Sequence, residues 1–200
     1  MLNLILIMKL SVDEMLDKYG KDKVHANEVK RLSLIIFDEV CKKIAEMSQI
    51  EREYLEAASL LHDIGYFIEP QSHNKHSMKM IIEEGLYGFD EREAKIIGCI
   101  ARYHRGSLPD KHEHEIYGSL EKKDRKIVKR LGGILKLSDG LCKDHSNLFT
   151  NIKINYDDKN NITKFILHPQ NDRPDIKTAI RKRDLFEIGF KCQSVLIFSE

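Results

Sequence analysis

The sequence contains no tryptophan, only four prolines and only four cysteines in 200 residues. Cys41, Cys99, Cys142 and Cys192 lie far apart and form no CxxC pair. That argues against a cysteine-based zinc site or a dithiol redox motif. Two of the four sit in apolar helical stretches and read as small core residues, which fits a reducing, cytoplasmic compartment. Strong net charge is also lacking. The formal balance is +1, so no whole-chain field favours nucleic acid or an anionic membrane, and neither is expected as a partner. Basic residues cluster only locally, as in EKKDRKIVKR at 121–130, which reads as a solvated helix face. Long apolar runs are missing too. The stretch MLNLILIMKL is too short to span a bilayer, and it lacks both a positive n-region and a cleavage site. Residues 1–11 read as a poorly ordered leader, with Met8 as an alternative start.

The pattern that is present is helical from about 12 to 148. In VHANEVKRLSLIIFDEVCKKIAEM, Val29, Leu32, Ile36, Val40, Ile44 and Met47 recur at steps of three and four and form one apolar stripe. REYLEAASLLHDIGYF is apolar almost all round, so a central buried helix is expected, stopped by Gly65 and Pro70. HSMKMIIEEG and EREAKIIGCIARYHRG read as helices closed by glycine. EKKDRKIVKRLGGILKLSDGLCKDH reads as a long one whose Gly132-Gly133 pair permits a bend or a close approach. After 148 the period changes to two. NIKINYDD and ITKFILHP around DDKNN predict a β-hairpin, DIKTAIRKRDLFEIGF one amphipathic helix, and QSVLIFS a last strand. The expected fold is therefore mainly α: a helical unit over 12–148, then a small β-β-α-β unit over 149–200.

Polar residues interrupt the apolar stripes in a consistent way. His25 continues the stripe of Val29, and His104 continues the face of Ile97, Ile100 and Ala101. Asp139 shares a face with Val128, Leu131 and Leu135, and His62 and Asp63 fall inside the buried stretch. Each alone has a structural explanation: a hydrogen-bonded core histidine, a cap, a paired charge. Together they point four helices' worth of His and Asp at one interior. Buried carboxylates are costly unless paired or metal-bound, and two in one interior repel. A divalent cation relieves both, and a mixed imidazole and carboxylate donor set suits Mn, Fe, Zn, Co or Ni better than Ca. His76 and His73 open a short helix, and either could lean toward the same centre. His112 and His114, in a polar loop, read as surface residues.

The set His25, His62-Asp63 and Asp139 resembles the H…HD…D pattern of the HD-domain metal-dependent phosphohydrolase superfamily. LLHDIGYFI, HNKHS, ARYHRGSLP, RLGGILKLSDGLCKDH and the closing AIRKRDLFEIGF are similar to the C-terminal region of the exopolyphosphatase/guanosine pentaphosphate phosphohydrolase family. The resemblance runs from about residue 12 to the end. It implies an HD-domain helical bundle that holds one or two divalent transition metals, with Mg also admitted. Its ligands would be His25, His62, Asp63 and Asp139, with His76 and His104 for a second ion and Asp63 bridging. The phosphate-cleaving N-terminal half of that family is not among these residues, nor is a Gly-rich phosphate loop.

The implied activity is hydrolysis of a phosphoester or phosphoanhydride by metal-activated water. The substrate would be a nucleotide, a guanosine polyphosphate or polyphosphate. Arg102, Arg105, Lys143 and Lys75 are candidate phosphate contacts, since arginine forks and lysine ammoniums suit phosphate oxygens. Asp63 and His145 are the candidate catalytic groups, His145 as an acid toward the leaving group. Two rivals stand beside this reading. One is a non-catalytic polyphosphate- or nucleotide-binding regulatory module. The other is an iron site for oxygen chemistry. The expected partner is a phosphorylated small molecule or polyphosphate, and a homodimer is an open option.

Overall fold

Three helices open on the same device, an Ncap side chain and a glutamate three residues on. Ser11 and Glu14 start α1 (Val12–Tyr19), Ser48 and Glu51 start α3 (Gln49–Leu61), and Asp90 and Glu93 start α5 (Glu91–Arg102). Each is a reciprocal capping box that satisfies orphan N–H groups. The computed structural model describes residues 9–142 and 148–199. Its other helices are α2 (Lys23–Lys43), α4 (His73–Glu84), α6 (Glu115–Ser119), α7 (Lys122–Leu141), α8 (Lys177–Lys182) and α9 (Asp184–Phe190). The strands are β1 (Phe149–Asp157), β2 (Ile162–Pro169) and β3 (Gln193–Phe198). The protein is thus mainly α with a small β unit at its C-terminal end. None of the described helices is long and apolar enough to cross a membrane.

The α2 stripe is buried as its spacing predicts, with Val29, Leu32, Ile36 and Val40 inside; Ile44 and Met47 follow the helix end and are only partly covered. The stretch around His62 differs from expectation. α3 stops at Leu61, His62 caps it, and a 3₁₀ turn (Ile64–Phe67) follows. The His-Asp pair therefore sits at a helix end and not inside a helix. Gly65 N–H donates to Ser77 Oγ at 2.9 Å, and Ser77 Oγ–H donates to the His62 carbonyl at 2.6 Å. One buried hydroxyl on α4 thus holds both sides of the turn that carries Asp63. α4 also begins at His73, three residues earlier than the pattern HSMKMIIEEG suggests.

β1 and β2 pair antiparallel with Ile154 opposite Phe165, and β3 adds parallel to β2 with Leu196 opposite Phe165. Asn161, at φ 52, takes the left-handed position in the hairpin turn. The segment expected as one helix over 175–190 is two, α8 and α9, joined at Arg183. Asp184 explains the break. Its Oδ1 accepts the Leu185 N–H at 2.7 Å, a local bond that competes with the helical ladder, and its carboxylate pairs with buried Lys136 at 2.8 Å. One apolar cluster runs through helices and sheet alike, from Val29 and Leu135 to Phe165 and Phe186.

The Gly132-Gly133 pair serves close approach and not a bend, because α7 is continuous across it. A Cβ on Gly133 would lie 2.6 Å from both N and Cα of Phe186. α9 therefore rests directly on the α7 backbone.

Ser77→Ala removes a buried hydroxyl that both accepts and donates. Its loss leaves the Gly65 N–H and the His62 carbonyl short of a partner, at a cost of about 1–3 kcal/mol. In urea denaturation the midpoint falls while the m-value is unchanged.

Candidate metal centre

Asp63 divides its carboxylate between two groups of imidazole nitrogens. Oδ2 lies 3.5 Å from His62 Nε2 and 3.8 Å from His25 Nε2. Oδ1 lies 3.2 Å from His73 Nε2 and 3.5 Å from His104 Nε2. Asp139 joins the first group: its Oδ1 is 3.2 Å from His25 Nε2 and 3.9 Å from His62 Nε2. The donor atoms of His25, His62 and Asp63, and those of Asp63, His73 and His104, lie within 4.8 Å of one another in each set. The six side chains come from five places: the first turn of α2, the end of α3, which carries both His62 and Asp63, the start of α4, the end of α5 and the last turn of α7.

The backbone fixes which nitrogen faces the centre. His62 Nδ1 lies 2.7 Å from the Ser59 carbonyl, His73 Nδ1 2.8 Å from that of Pro70, and His104 Nδ1 2.6 Å from that of Ala101. A carbonyl only accepts, so each Nδ1 carries the proton and each Nε2 of a neutral ring presents a lone pair. The two lone pairs of His73 and His104 then face each other at 3.2 Å. His62 Nε2 is buried with no hydrogen-bond partner. Bare nitrogens aimed at each other and at carboxylates repel unless a cation stands among them. The residues present therefore fit a bound metal ion, with ring N–H groups anchored as in known metal-ligating histidines.

The charges point the same way. Burial raises the Asp63 carboxyl, but the imidazoles around it, His62 foremost, outweigh it, and its pKa is lowered. Burial likewise opposes ionisation of Asp139, and His25 and Lys182 overcome it, so its pKa falls well below the usual carboxylate range. Complete burial, with His62 adjacent, pushes His104 down to about 3, which keeps it a neutral ligand. For His25, burial is outweighed by Asp139 and Asp63, and its pKa rises.

Of the residues expected at the site, the structure brings together His25, His62, Asp63, His104 and Asp139. His76 is a correction. Its Nε2 lies 3.1 Å from Glu69 on the exposed side, and His73 occupies the position by Asp63 and His104. Because α4 starts at His73, that residue falls on the inward face of its first turn. A step of four back from fully buried Ile81 leads to Ser77 and then His73, the same stripe rule that finds His25. Arg105 lines the open cavity of about 450 Å³ above the cluster. Arg102 and Lys75 do not line it; the Arg102 guanidinium lies over the Tyr103 ring instead. Lys143 and His145 lie outside the described residues. His114, expected at the surface, is partly covered, with its Nδ1 2.8 Å from the Tyr103 hydroxyl. Three lining residues were not anticipated: Tyr66, stacked on His73 at 4.0 Å between ring centres, and Thr178 and Lys182 of α8. The Lys182 ammonium bonds Asp139 Oδ2.

The fold and site together describe a helical domain whose helix ends converge on a His/Asp cluster able to hold metal. The sequence matches the family model described as Ppx/GppA phosphatase, domain III, over residues 7–178. The chain belongs to that family. It is also similar to the guanosine-5'-triphosphate,3'-diphosphate pyrophosphatase of Pseudoalteromonas translucida (strain TAC 125), with 31% identity over 102 residues. That match covers 51% of this chain and 20% of the relative.

The metal-free protein is expected to lose stability in acid. The folded pKa of His104, about 3, lies below the ordinary imidazole value of 6.5. The unfolded chain therefore binds more protons between these values, and stability falls as pH drops through that window. Asp63 and Asp139, also depressed, add to the loss only below the ordinary carboxylate value of 3.8. His25, whose pKa is raised, works in the opposite sense: its contribution is complete below 6.5 and is lost as pH rises through the folded value. Urea midpoints of chelator-treated protein between pH 7 and 4 should fall, and fall less steeply in His104→Asn.

Proposed function

We propose that this chain is a metal-dependent phosphohydrolase of the HD type. It would act on a phosphoester or phosphoanhydride of the nucleotide, guanosine polyphosphate or polyphosphate class. The observation that carries this reading is the division of Asp63 between two sets of imidazole lone pairs. His25, His62, Asp63 and Asp139 would hold one ion, and Asp63, His73 and His104 a second. A nitrogen and oxygen donor set suits Mn, Fe, Co, Ni or Zn. Such an ion supplies an acidified water and a Lewis-acid contact for a phosphoryl oxygen. The residues supply position: the three ring N–H to carbonyl bonds hold the donor nitrogens, and the cavity above the cluster admits the phosphoryl group. Family membership and the pyrophosphatase relative support the substrate class. A cytoplasmic setting is part of the proposal and is supported by the unpaired, buried Cys99, Cys142 and Cys192.

One observation favours a second reading. The matched family model describes a single domain of a phosphatase, and the relative is matched over a fifth of its length. A domain of that kind can bind a phosphorylated ligand without cleaving it.

Metal analysis of protein purified without chelator, followed by assays on phosphoesters, guanosine pentaphosphate and polyphosphate with Mn, Mg, Co or Ni, separates the two. We expect stoichiometric metal, and hydrolysis that drops to the uncatalysed background in Asp63→Ala. His73→Ala is expected to lower metal content, whereas His76→Ala leaves it unchanged. Ligand binding with no tight metal and no turnover establishes the binding module. Stoichiometric iron with oxygen-dependent turnover would redirect the assignment to oxygen chemistry.

A further inference from the structure

Thr178 and Lys182 stand one turn apart on α8 and line the cavity over the cluster, as do Tyr66 and Arg105. The Lys182 side chain is only 21% exposed, and its ammonium holds Asp139 Oδ2, while Oδ1 is the oxygen near His25. The approach is built into the backbone. A Cβ on Gly140, the residue after Asp139, would lie 2.8 Å from Ala179 Cα and 3.2 Å from Lys182 Cδ. α8 is thereby seated on the last turn of α7, with Ala179 fully buried between them. Arg105 is presented by a loop tied to α4, where Asn74 Nδ2 donates to the Arg102 and Arg105 carbonyls at 2.8 and 3.1 Å.

The charges around this cavity suit an anion. The carboxylates of Asp63 and Asp139 are formally offset by Lys182 and Arg105. Each divalent ion adds two positive charges, and no further carboxylate lines the cavity among the described residues. The loaded cavity is then electropositive and calls for a multiply charged anion. Three ammonium hydrogens let Lys182 keep Asp139 and still donate outward, and Arg105 offers a fork.

We propose that Thr178 and Lys182, together with Arg105 and Tyr66, form a clamp for the phosphoryl group, so that the C-terminal segment supplies part of the substrate site. This rests on the metal-dependent phosphohydrolase reading and identifies which residues grip the anion. The competing role is purely structural, with Lys182 serving only to neutralise Asp139.

Calorimetric titration of inorganic phosphate into the full chain, loaded with Mn²⁺ and separately metal-free, distinguishes these roles. In the loaded protein, Lys182→Met and Arg105→Met are each expected to weaken phosphate binding about tenfold or more, as for loss of a hydrogen bond to a charged group. Thr178→Val should weaken it several-fold, and Lys182→Arg should retain most of the affinity. Metal content should be unchanged throughout. Unaltered phosphate affinity in Lys182→Met and Thr178→Val overturns the clamp, as does loss of metal in step with phosphate in Lys182→Met. Should Lys182→Met fail to fold, Thr178→Val and Lys182→Arg decide by the same criteria. If the wild-type chain takes up no metal, the hydrolase reading fails on its own. The clamp then stands only if phosphate binds the metal-free chain and Arg105→Met abolishes that binding.

Discussion

Two carboxylates, Asp63 and Asp139, are carried into the interior at the ends of α3 and α7, and the surrounding structure is arranged to keep them ionised. Both are largely withdrawn from water, so partners must come from the fold. They come as the His25 ring of α2 and the Lys182 ammonium of α8, and a cation among the bare nitrogens of His62, His73 and His104 would complete them. This constraint explains why so many elements end at the same place. A helix end can offer a short-range side chain and a free carbonyl together, and a helix middle cannot. It also explains why Asp63 lies just past α3, where a turn leaves both of its oxygens accessible to different neighbours.

α7 organises the other half of the molecule. Gly133 and Gly140 are seven residues apart, two turns on one face, and Lys136 lies between them on that face. The glycines remove side chains where α9 and α8 touch the backbone, and Lys136 pairs with Asp184 at the junction of those two short helices. The same helix presents Asp139 to the candidate metal centre. Packing of the C-terminal segment and geometry of the site are therefore set by one element, and a change at the α7–α8 contact is felt at Asp139.

Much of this was legible in the sequence, because burial leaves a periodic trace. His25, His104 and Asp139 each continue an apolar stripe, and the change of period after 148 marks the sheet. What escaped detection depended on local competition or on tertiary contact. His73 is obscured because the α4 start has no capping side chain to mark it, and the apolar pattern HSMKMIIEEG begins only at His76. The division into α8 and α9 turns on Asp184 capturing a backbone N–H, a choice that amphipathic spacing does not record. Lys182 and Thr178 reach the site only because the tail folds back on α7, and no spacing along the chain encodes that meeting.

The three histidines whose Nδ1–H donates to a main-chain carbonyl all do so three residues back: His62 to Ser59, His73 to Pro70 and His104 to Ala101. In many metal sites the outer partner of a ligating ring is a carboxylate side chain, which one mutation can delete. Here it is main chain, present whatever residue occupies 59, 70 or 101. The tautomer of each ring is thus insulated from substitution at its supporting position and depends only on the shape of the turn. Such a centre can tolerate sequence drift around its ligands while the donor nitrogens stay aimed, so the backbone conformation at these three helix termini is what selection has to preserve.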